Sequence, residues 1–425
     1  MRYYYLKTNA CDSENLSADL RYVLDAMDGY THLNSSAFLP KHRAIAEELC
    51  RRGAAFRCAR GFRGTSPGPI RGAYWAITGF CNLRCTHCYM SSPVNHPKPP
   101  ELKRLMTLAD RLASGGAVEL ILTGGEVFSY QQLPELLDYL EESGFYVSNI
   151  LTNATLVTES TPALFTDRDM FPRFHVSFDG VGHHSRFRGV MDAEERTLRG
   201  IRILKDAGFH VGVNTSIDAA NLTSLPATYE CMKELGVDEW GVARPLRFGC
   251  AKGMSIPSTD AFAAVCTDLQ ERWLADGRPM TLGLEGLYSY RPGAVRTIRP
   301  FDGNQPSCWE CRDYPYLSDK GLLMPCSAYT DSPVSDSFPD LSAMEFEDAW
   351  NSEFLQKVMS ITPEDVMAHS PECRTCEYLS ECKTGCRASA LINAGSVYAA
   401  DPYNCEILKR QMQKQYYQRE KEHGE

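Results

Sequence analysis

The sequence predicts an α/β protein with a small α+β segment at its N-terminus and a cysteine-rich region at its C-terminus. Two observations predict this order. Short apolar segments alternate with amphipathic ones through the middle of the 425-residue chain, and eight of the 17 cysteines lie in the last 118 residues. A chain of this length is too long for one ordinary hydrophobic core, so we expect two or three domains.

The alternation runs from about residue 72 to about residue 280. Short strands that alternate with helices imply a parallel sheet. The predicted strands are apolar and rich in Val and Ile: Tyr74–Thr78, Val118–Thr123, Tyr146–Thr152, Phe174–Phe178, Val211–Ile217 and Glu239–Ala243. The predicted helices carry apolar residues at spacings of three and four: Leu102–Leu112, Leu133–Glu142, Glu194–Ala207, Ala227–Leu235 and Asp260–Leu274.

The first 70 residues have a different pattern, which predicts strands followed by one helix. The predicted elements are a strand at Arg2–Lys7, a hairpin whose strands Arg21–Leu24 and Tyr30–Leu33 flank a turn at Asp28-Gly29, an amphipathic helix at Lys41–Arg52, and a linker at Gly61–Pro69.

The composition excludes some classes of function. A net charge of −10 without an evident basic face gives no reason to expect a nucleic-acid partner. The start of the chain lacks the apolar core of a signal peptide, and no apolar run is long enough to span a bilayer. We therefore expect a cytoplasmic protein with no membrane partner, whose cysteines bind metal instead of forming disulfides.

Three cysteines follow the first predicted strand of the sheet in the spacing C-x3-C-x2-C, at Cys81, Cys85 and Cys88. A cubane iron–sulfur cluster needs four ligands, and thiolates are its usual ones, so this loop leaves one iron without a protein ligand. That iron can bind a small molecule. The alternatives are a zinc knuckle or a buried apolar loop.

The spacing and the following Tyr89 resemble the signature of the radical S-adenosylmethionine (radical SAM) enzymes. The resemblance implies a partial, TIM-like (β/α)6 barrel with its chemistry at the carboxyl ends of the strands. It implies a 4Fe-4S cluster whose open iron chelates SAM, and whose electron cleaves SAM to the 5′-deoxyadenosyl radical. An electron donor such as flavodoxin or ferredoxin is then a partner.

The second predicted strand runs into Gly124, Gly125 and Glu126. Glycines let a backbone approach a ligand closely. In the family that this chain resembles, such a segment receives the amino group of SAM through its backbone carbonyls. On its own, the same tripeptide is a common turn.

The fourth predicted strand ends in a segment similar to the S-x-D-G motif of the family, with Ser177 as its serine. A hydroxyl and a following arginine suit the ribose and the carboxylate of SAM. We assign that arginine to Arg188, although Arg186 and Arg244 are alternatives that the sequence does not separate. Asn214, on the fifth predicted strand, is a further candidate for contact with SAM.

Seven of the eight C-terminal cysteines match the SPASM extension of radical SAM enzymes position for position, whereas the first, Cys308, lies at a position whose spacing varies among members of the family. The resemblance implies two auxiliary 4Fe-4S clusters with interleaved ligands, and thus three clusters in all. Cluster I takes Cys308, Cys311, Cys326 and Cys386, and cluster II takes Cys373, Cys376, Cys382 and Cys405. If Cys308 is not a ligand, cluster I has an open iron. Two zinc sites are the alternative for the whole region.

These resemblances divide the chain into residues 1–70, residues 71–290 as the barrel, and residues 300–425 as the SPASM domain. They predict a radical SAM oxidoreductase that abstracts a hydrogen atom and oxidises or cross-links a ribosomally made precursor peptide. Residues 1–70 are then a winged-helix-like domain that binds the leader of the peptide, or a plain cap. The alternatives are a radical dehydrogenase of an alcohol or sugar, and a non-enzymatic iron–sulfur electron carrier or sensor.

Overall fold

The computed structural model describes residues 3–6, 23, 28–32, 40–51, 55–58, 68–92, 98–290, 301–308 and 310–423. The strands are β1 (Tyr3–Leu6), β2 (Asp28–His32), β3 (Ala55–Cys58), β4 (Gly72–Thr78), β5 (Glu119–Gly124), β6 (Tyr146–Thr152), β7 (Arg173–Ser177), β8 (Val211–Ser216), β9 (Glu239–Ala243), β10 (Thr281–Leu284), β11 (Tyr288–Tyr290), β12 (Tyr316–Leu317) and β13 (Leu323–Met324).

The helices of the first part of the chain are α1 (Pro40–Arg51), α2 (Leu102–Ser114), α3 (Leu133–Glu142), α4 (Ala163–Thr166), α5 (His184–Arg188), α6 (Ala193–Asp206), α7 (Leu225–Glu234) and α8 (Thr259–Ala275). Those of the last part are α9 (Glu310–Asp313), α10 (Phe346–Trp350), α11 (Glu353–Met359), α12 (Pro363–His369), α13 (Leu379–Cys382), α14 (Arg387–Ala394), α15 (Pro402–Lys409) and α16 (Met412–Glu422).

The main sheet has the order β11-β10-β9-β8-β7-β6-β5-β4-β12-β13 within the described residues. Strands β4 to β10 are parallel to their neighbours, β11 is antiparallel to β10, and β12 joins β4 in parallel. The predicted α/β class with a parallel sheet is confirmed. Strands β10 to β13 extend the sheet beyond the six strands that the sequence predicts.

The core lies between the sheet and the helices on its outer side. Strand β5 buries nearly every residue, and α2 turns its stripe of Leu105, Leu108 and Leu112 inward. Fully burying a leucine contributes roughly 1.5–3 kcal/mol, so this stripe fixes the face of α2 that packs. The predicted strands and helices of the barrel are all present, with ends that shift by one or two residues.

The N-terminal elements form a separate three-stranded sheet in the order β2-β1-β3, antiparallel throughout. The predicted strand at residues 2–7 and helix at residues 41–52 are confirmed by β1 and α1. The predicted turn at Asp28-Gly29 is wrong, because both residues lie in β2, where Asp28 pairs with Tyr5. Strand β3 was not predicted. Most of Arg21–Leu24 and of the linker at 61–69 lies outside the described residues.

Residues 301–423, here called the C-terminal region, are joined to both edges of the main sheet. At one edge β12 pairs with β4, and the amide of Tyr74 donates to the carbonyl of Pro315 at 3.0 Å. At the other edge α16 packs on α8, where Gln270 Nε2 donates to the carbonyl of Tyr416 at 2.9 Å. The cysteine-rich part of the chain is therefore anchored to the strand that leads into Cys81.

Candidate functional site

The loop with Cys81, Cys85 and Cys88 begins at the carboxyl end of β4. Its second half is held against α5 by backbone hydrogen bonds: the amide of Arg84 donates to the carbonyl of Arg188 at 2.9 Å, and that of Thr86 to the carbonyl of Phe187 at 3.0 Å. Leu83 is buried, which anchors the loop to the protein interior. The three thiols thus project from a loop that is fixed on both sides.

The three thiols are close enough to influence one another electrostatically. Burial, together with the charges of Glu126, Cys85 and Cys88, raises the pKa of Cys81 to about 12, and the amide of Leu83 opposes the rise. Such crowded thiols release their protons to a metal centre, since a coordinating thiol is deprotonated outright. Three sulfur donors in one loop fit a cubane that keeps one iron open.

Among the described residues, no group of three or more His, Cys, Asp or Glu side chains converges on one point as a single metal ion requires. A cubane does not require this convergence, because its four irons are ligated at separate corners. The three thiols therefore fit a cubane cluster, because thiolates are its usual ligands and all three lie in one loop.

The segment of Gly124 and Gly125 lies directly against the start of the cysteine loop. The amide of Gly125 donates to the carbonyl of Thr78 at 2.7 Å, and that of Glu126 to the carbonyl of Phe80 at 2.9 Å. A Cβ atom on Gly124 would lie 2.3 Å from the Thr78 oxygen, and one on Gly125 would lie 2.2 Å from the Phe80 oxygen. Only glycine permits this approach of two backbones.

The Glu126 side chain is a structural anchor at this point. Its buried carboxylate accepts hydrogen bonds from the amide of Phe128 at 3.0 Å, the hydroxyl of Thr152 at 2.6 Å and the amide of Asn153 at 2.7 Å. Burial raises the pKa of Glu126, and these donors oppose the rise. The carboxylate therefore ties the end of β5 to the end of β6.

Sequence analysis missed Asn153, which links the end of β6 to the cysteine loop. Its Nδ2 donates to Asn82 Oδ1 at 3.0 Å and lies 3.9 Å from the Cys81 sulfur. Its Oδ1 accepts from the amide and the hydroxyl of Thr155. Its position directly after a predicted strand was the signal that could have found it.

Arg188 is the predicted site residue that lies against the loop most directly. Its Nη1 donates to the Cys85 sulfur at 3.4 Å, and its Nε donates to Asp179 Oδ2 at 2.5 Å. Burial alone would raise the pKa of Asp179, but the charge of Arg188 and the His184 hydrogen bond outweigh it and hold that pKa far below its usual range. This buried pair is thus fully ionised at neutral pH.

The other two candidate arginines lie elsewhere. Arg186 is exposed on α5. The guanidinium of Arg244 stacks on the Tyr403 ring at 4.3 Å, and its Nη1 donates to Thr259 at 2.8 Å, which joins the barrel to α15. Of the three arginines, the structure brings Arg188 to the cysteine loop.

Ser177 and Asn214 are register partners on adjacent strands β7 and β8. Asn214 is exposed while its neighbour Val213 is buried, so Asn214 faces the open side of the sheet and Val213 the helices. A cavity of about 160 Å³ lies on that open side. Polar and apolar residues of β7 to β11 border it: His175, Gly212, Val213, Asn214, Glu239, Trp240, Gly241, Thr281, Leu282, Gly283 and Ser289.

Four cysteines assigned to cluster I form one group in the C-terminal region. The thiols of Cys308 and Cys326 both act on the pKa of Cys311, and those of Cys386 and Cys308 act on that of Cys326. Cys308 is exposed, and its carbonyl accepts from the thiol of Cys311 at 3.3 Å. The structure therefore brings Cys308 to the other three residues.

The remaining four cysteines of this region form a second group. The thiols of Cys405 and Cys376 act on the pKa of Cys373, and those of Cys405 and Cys373 act on that of Cys382, which burial raises to about 11. Asn404 Nδ2 donates to the Cys382 sulfur at 3.1 Å. The two groups of four are interleaved along the sequence, because Cys386 belongs to the first.

Residues 75–219 match the family model described as the Radical SAM superfamily. AdoMet-dependent heme synthase of Methanosarcina barkeri is 28% identical over 349 residues, which cover 77% of this chain and 94% of that protein. PqqA peptide cyclase of Granulibacter bethesdensis is 25% identical over 347 residues, covering 79% and 87%. The crystal structure of Streptococcus suis SuiB bound to precursor peptide SuiA aligns with a TM-score of 0.62 at 15% identity, covering 94% and 84%.

The fold and the cysteine loop define an enzyme of radical chemistry on an open α/β barrel. Residues 75–219 form a radical SAM domain, and this family implies a 4Fe-4S cluster and SAM as cofactors. The predicted resemblance to peptide-modifying members is confirmed by relatives such as PqqA peptide cyclase. No helix in the described ranges is long and apolar enough to cross a membrane.

Proposed function

We propose that the chain is a maturase that abstracts a hydrogen atom from a ribosomally made precursor peptide and then oxidises or cross-links it. The observation that carries this proposal is the pair of four-cysteine groups in a region anchored to β4. Two additional clusters near the barrel suit an overall two-electron oxidation, because the substrate radical must lose a second electron to become product.

In this proposal Cys81, Cys85 and Cys88 hold the SAM cluster, which supplies the electron that cleaves SAM to the 5′-deoxyadenosyl radical. The chain itself binds and orients SAM and keeps water from the site. The residues proposed to contact SAM lie at the carboxyl ends of β5, β7 and β8 and on α5: Gly124, Gly125, Glu126, Ser177, Asn214 and Arg188.

Residues 300–425, which include the C-terminal region, are proposed to be a SPASM domain beside a barrel at residues 71–290. Cluster I takes Cys308, Cys311, Cys326 and Cys386, and cluster II takes Cys373, Cys376, Cys382 and Cys405. Eight thiols supply full ligation for two cubanes, and full ligation suits electron transfer more than substrate binding. A small iron–sulfur or flavin protein, such as a ferredoxin or flavodoxin, supplies the first electron.

Residues 1–70 are proposed to bind the leader of the peptide. Their sheet has β1 at its centre, so β2 and β3 are both edges within the described residues. An extended peptide adds to such an edge through main-chain hydrogen bonds, and its side chains supply specificity.

A tetrapyrrole is the second candidate substrate. The specific observation in its favour is that AdoMet-dependent heme synthases match this chain over about three-quarters of its length, as the Methanosarcina protein does over 77%.

The experiment that separates the two substrates is anaerobic incubation of the reconstituted enzyme with SAM, reductant and each candidate, followed by mass spectrometry. The precursor peptide should lose mass in steps of two hydrogens, and deletion of residues 1–70 should abolish this while leaving uncoupled SAM cleavage. Conversion of an iron porphyrin with no change in any candidate peptide would overturn the peptide proposal.

A further inference from the structure

A charged side chain donates a hydrogen bond to one of the three thiols in the cysteine loop. Arg188 is 7% exposed, and its Nη1 lies 3.4 Å from the Cys85 sulfur. Neutral amides donate hydrogen bonds to the sulfurs of other proposed cluster ligands: Leu83 N and Asn153 Nδ2 donate to Cys81, and Asn404 Nδ2 donates to Cys382.

We propose that Arg188 raises the reduction potential of the SAM cluster through its contact with Cys85, and so favours transfer of an electron to that cluster. The inference rests on the proposed ligation of the cluster by Cys85. Adding an electron increases the negative charge on the cluster sulfurs, and an adjacent cation therefore stabilises the reduced state more than the oxidised one. Hydrogen bonds to sulfur, net charge and solvent exposure are the protein's means of setting such a potential.

The partner of Arg188 does not cancel this charge at the sulfur. Arg188 contacts the Cys85 sulfur directly through Nη1, whereas the Asp179 carboxylate is held on Nε of the same guanidinium. The carboxylate of Asp179 is turned to other donors as well, since its Oδ1 accepts from the amide of Ser216 at 3.0 Å. In the pair of Arg188 and Asp179, the positively charged guanidinium is therefore the group that lies next to the proposed cluster ligand.

The guanidinium is fixed in this position before any electron arrives. Asp179 is fully buried and holds Arg188 Nε, while Asn221 Nδ2 donates to the Asp179 carbonyl at 2.8 Å and the His184 ring lies 3.5 Å from its carboxylate. A side chain locked by packing and hydrogen bonds needs no reorganisation when charge develops nearby, so its full electrostatic effect is available.

The test is a potentiometric titration of the reconstituted full-length protein without SAM, followed by electron paramagnetic resonance of the reduced cluster. The variants are Arg188→Gln and Arg188→Met, which remove the charge with different polarity. Arg186→Gln is the matched control, because it removes the same charge from the exposed side of α5. Either Arg188 variant should disfavour reduction at least tenfold, a midpoint 59 mV lower for one electron. The control variant should change the equilibrium constant for reduction of the cluster less than threefold.

Arg188→Lys keeps the positive charge but not the planar guanidinium. Its midpoint potential should therefore fall by less than half as much as that of Arg188→Met. A midpoint in Arg188→Met equal to that of the wild type, at the same iron content, would overturn the inference. Iron content of Cys85→Ala tests the ligation separately. If that variant keeps the SAM-cluster signal, Cys85 is not a ligand, and both the ligation and this inference fail.

Discussion

Replacing Glu126 with Gln should weaken the junction between β5 and β6 measurably. The carboxylate accepts from Phe128 N at 3.0 Å, Thr152 Oγ1 at 2.6 Å and Asn153 N at 2.7 Å. Gln keeps one oxygen for the first two donors, but its amide nitrogen must face the amide of Asn153. A buried donor left without an acceptor costs about 1–3 kcal/mol, and the surviving bonds lose their charge assistance.

The total is about 3 kcal/mol, which corresponds to a melting temperature lower by roughly 6–12 °C for a folding unit of about 200 residues. Thermal unfolding followed by circular dichroism measures the shift. Glu142→Gln is the matched control, because Glu142 is exposed at the end of α3 and should change stability by less than about 0.5 kcal/mol. Equal melting temperatures for Glu126→Gln and the control would refute the anchoring role of this carboxylate.

Two further predictions concern ionic and aromatic contacts. Asp179→Asn leaves the Arg188 guanidinium buried without its partner and should cost about 3–5 kcal/mol at pH 7. The pKa of Asp179 in the folded protein lies far below the 3.8 of an unfolded aspartate, so its contribution to stability is fully present well above pH 3.8 and is lost progressively as the pH falls from there toward the folded pKa. The stability gap between wild type and variant, measured with denaturant, should therefore shrink from pH 5 to pH 3; a constant gap would contradict it. Tyr403→Leu removes the ring stacked 4.3 Å from the Arg244 guanidinium and should cost about 1–2 kcal/mol, whereas Tyr403→Phe keeps the ring and should cost less than half of that.

The barrel strands were predictable because buried strands of a parallel sheet are short, continuous apolar runs. Strand β5 is such a run, and its helix α2 carries an equally clear apolar stripe. Strand β12 has two residues, and it exists because Tyr316 pairs with Tyr74, a partner far away in sequence. Local pattern contains no information on such a pairing. The turn predicted at Asp28-Gly29 failed for the same reason, because pairing with β1 overrides the turn preference of those residues.

The cysteine loop and the glycine segment beside it were predictable from spacing and order along the chain. The choice among three arginines was not, since Arg186 and Arg188 lie two residues apart on one short helix. Burial decides between them: Arg188 turns inward to Asp179 and Cys85 while Arg186 stays exposed. The grouping of Cys386 with Cys326 likewise depends on the folding of the C-terminal region, and the sequence could supply it only through resemblance.

The most direct test of the account is the amount of 5′-deoxyadenosine formed anaerobically from SAM and reductant by the wild type and by a variant with Cys81, Cys85 and Cys88 replaced by Ala. The wild type should form it and contain about twelve irons, the count for three cubanes. The variant should form none and retain about eight. Undiminished 5′-deoxyadenosine in the variant would contradict the claim that this loop holds the cluster that cleaves SAM.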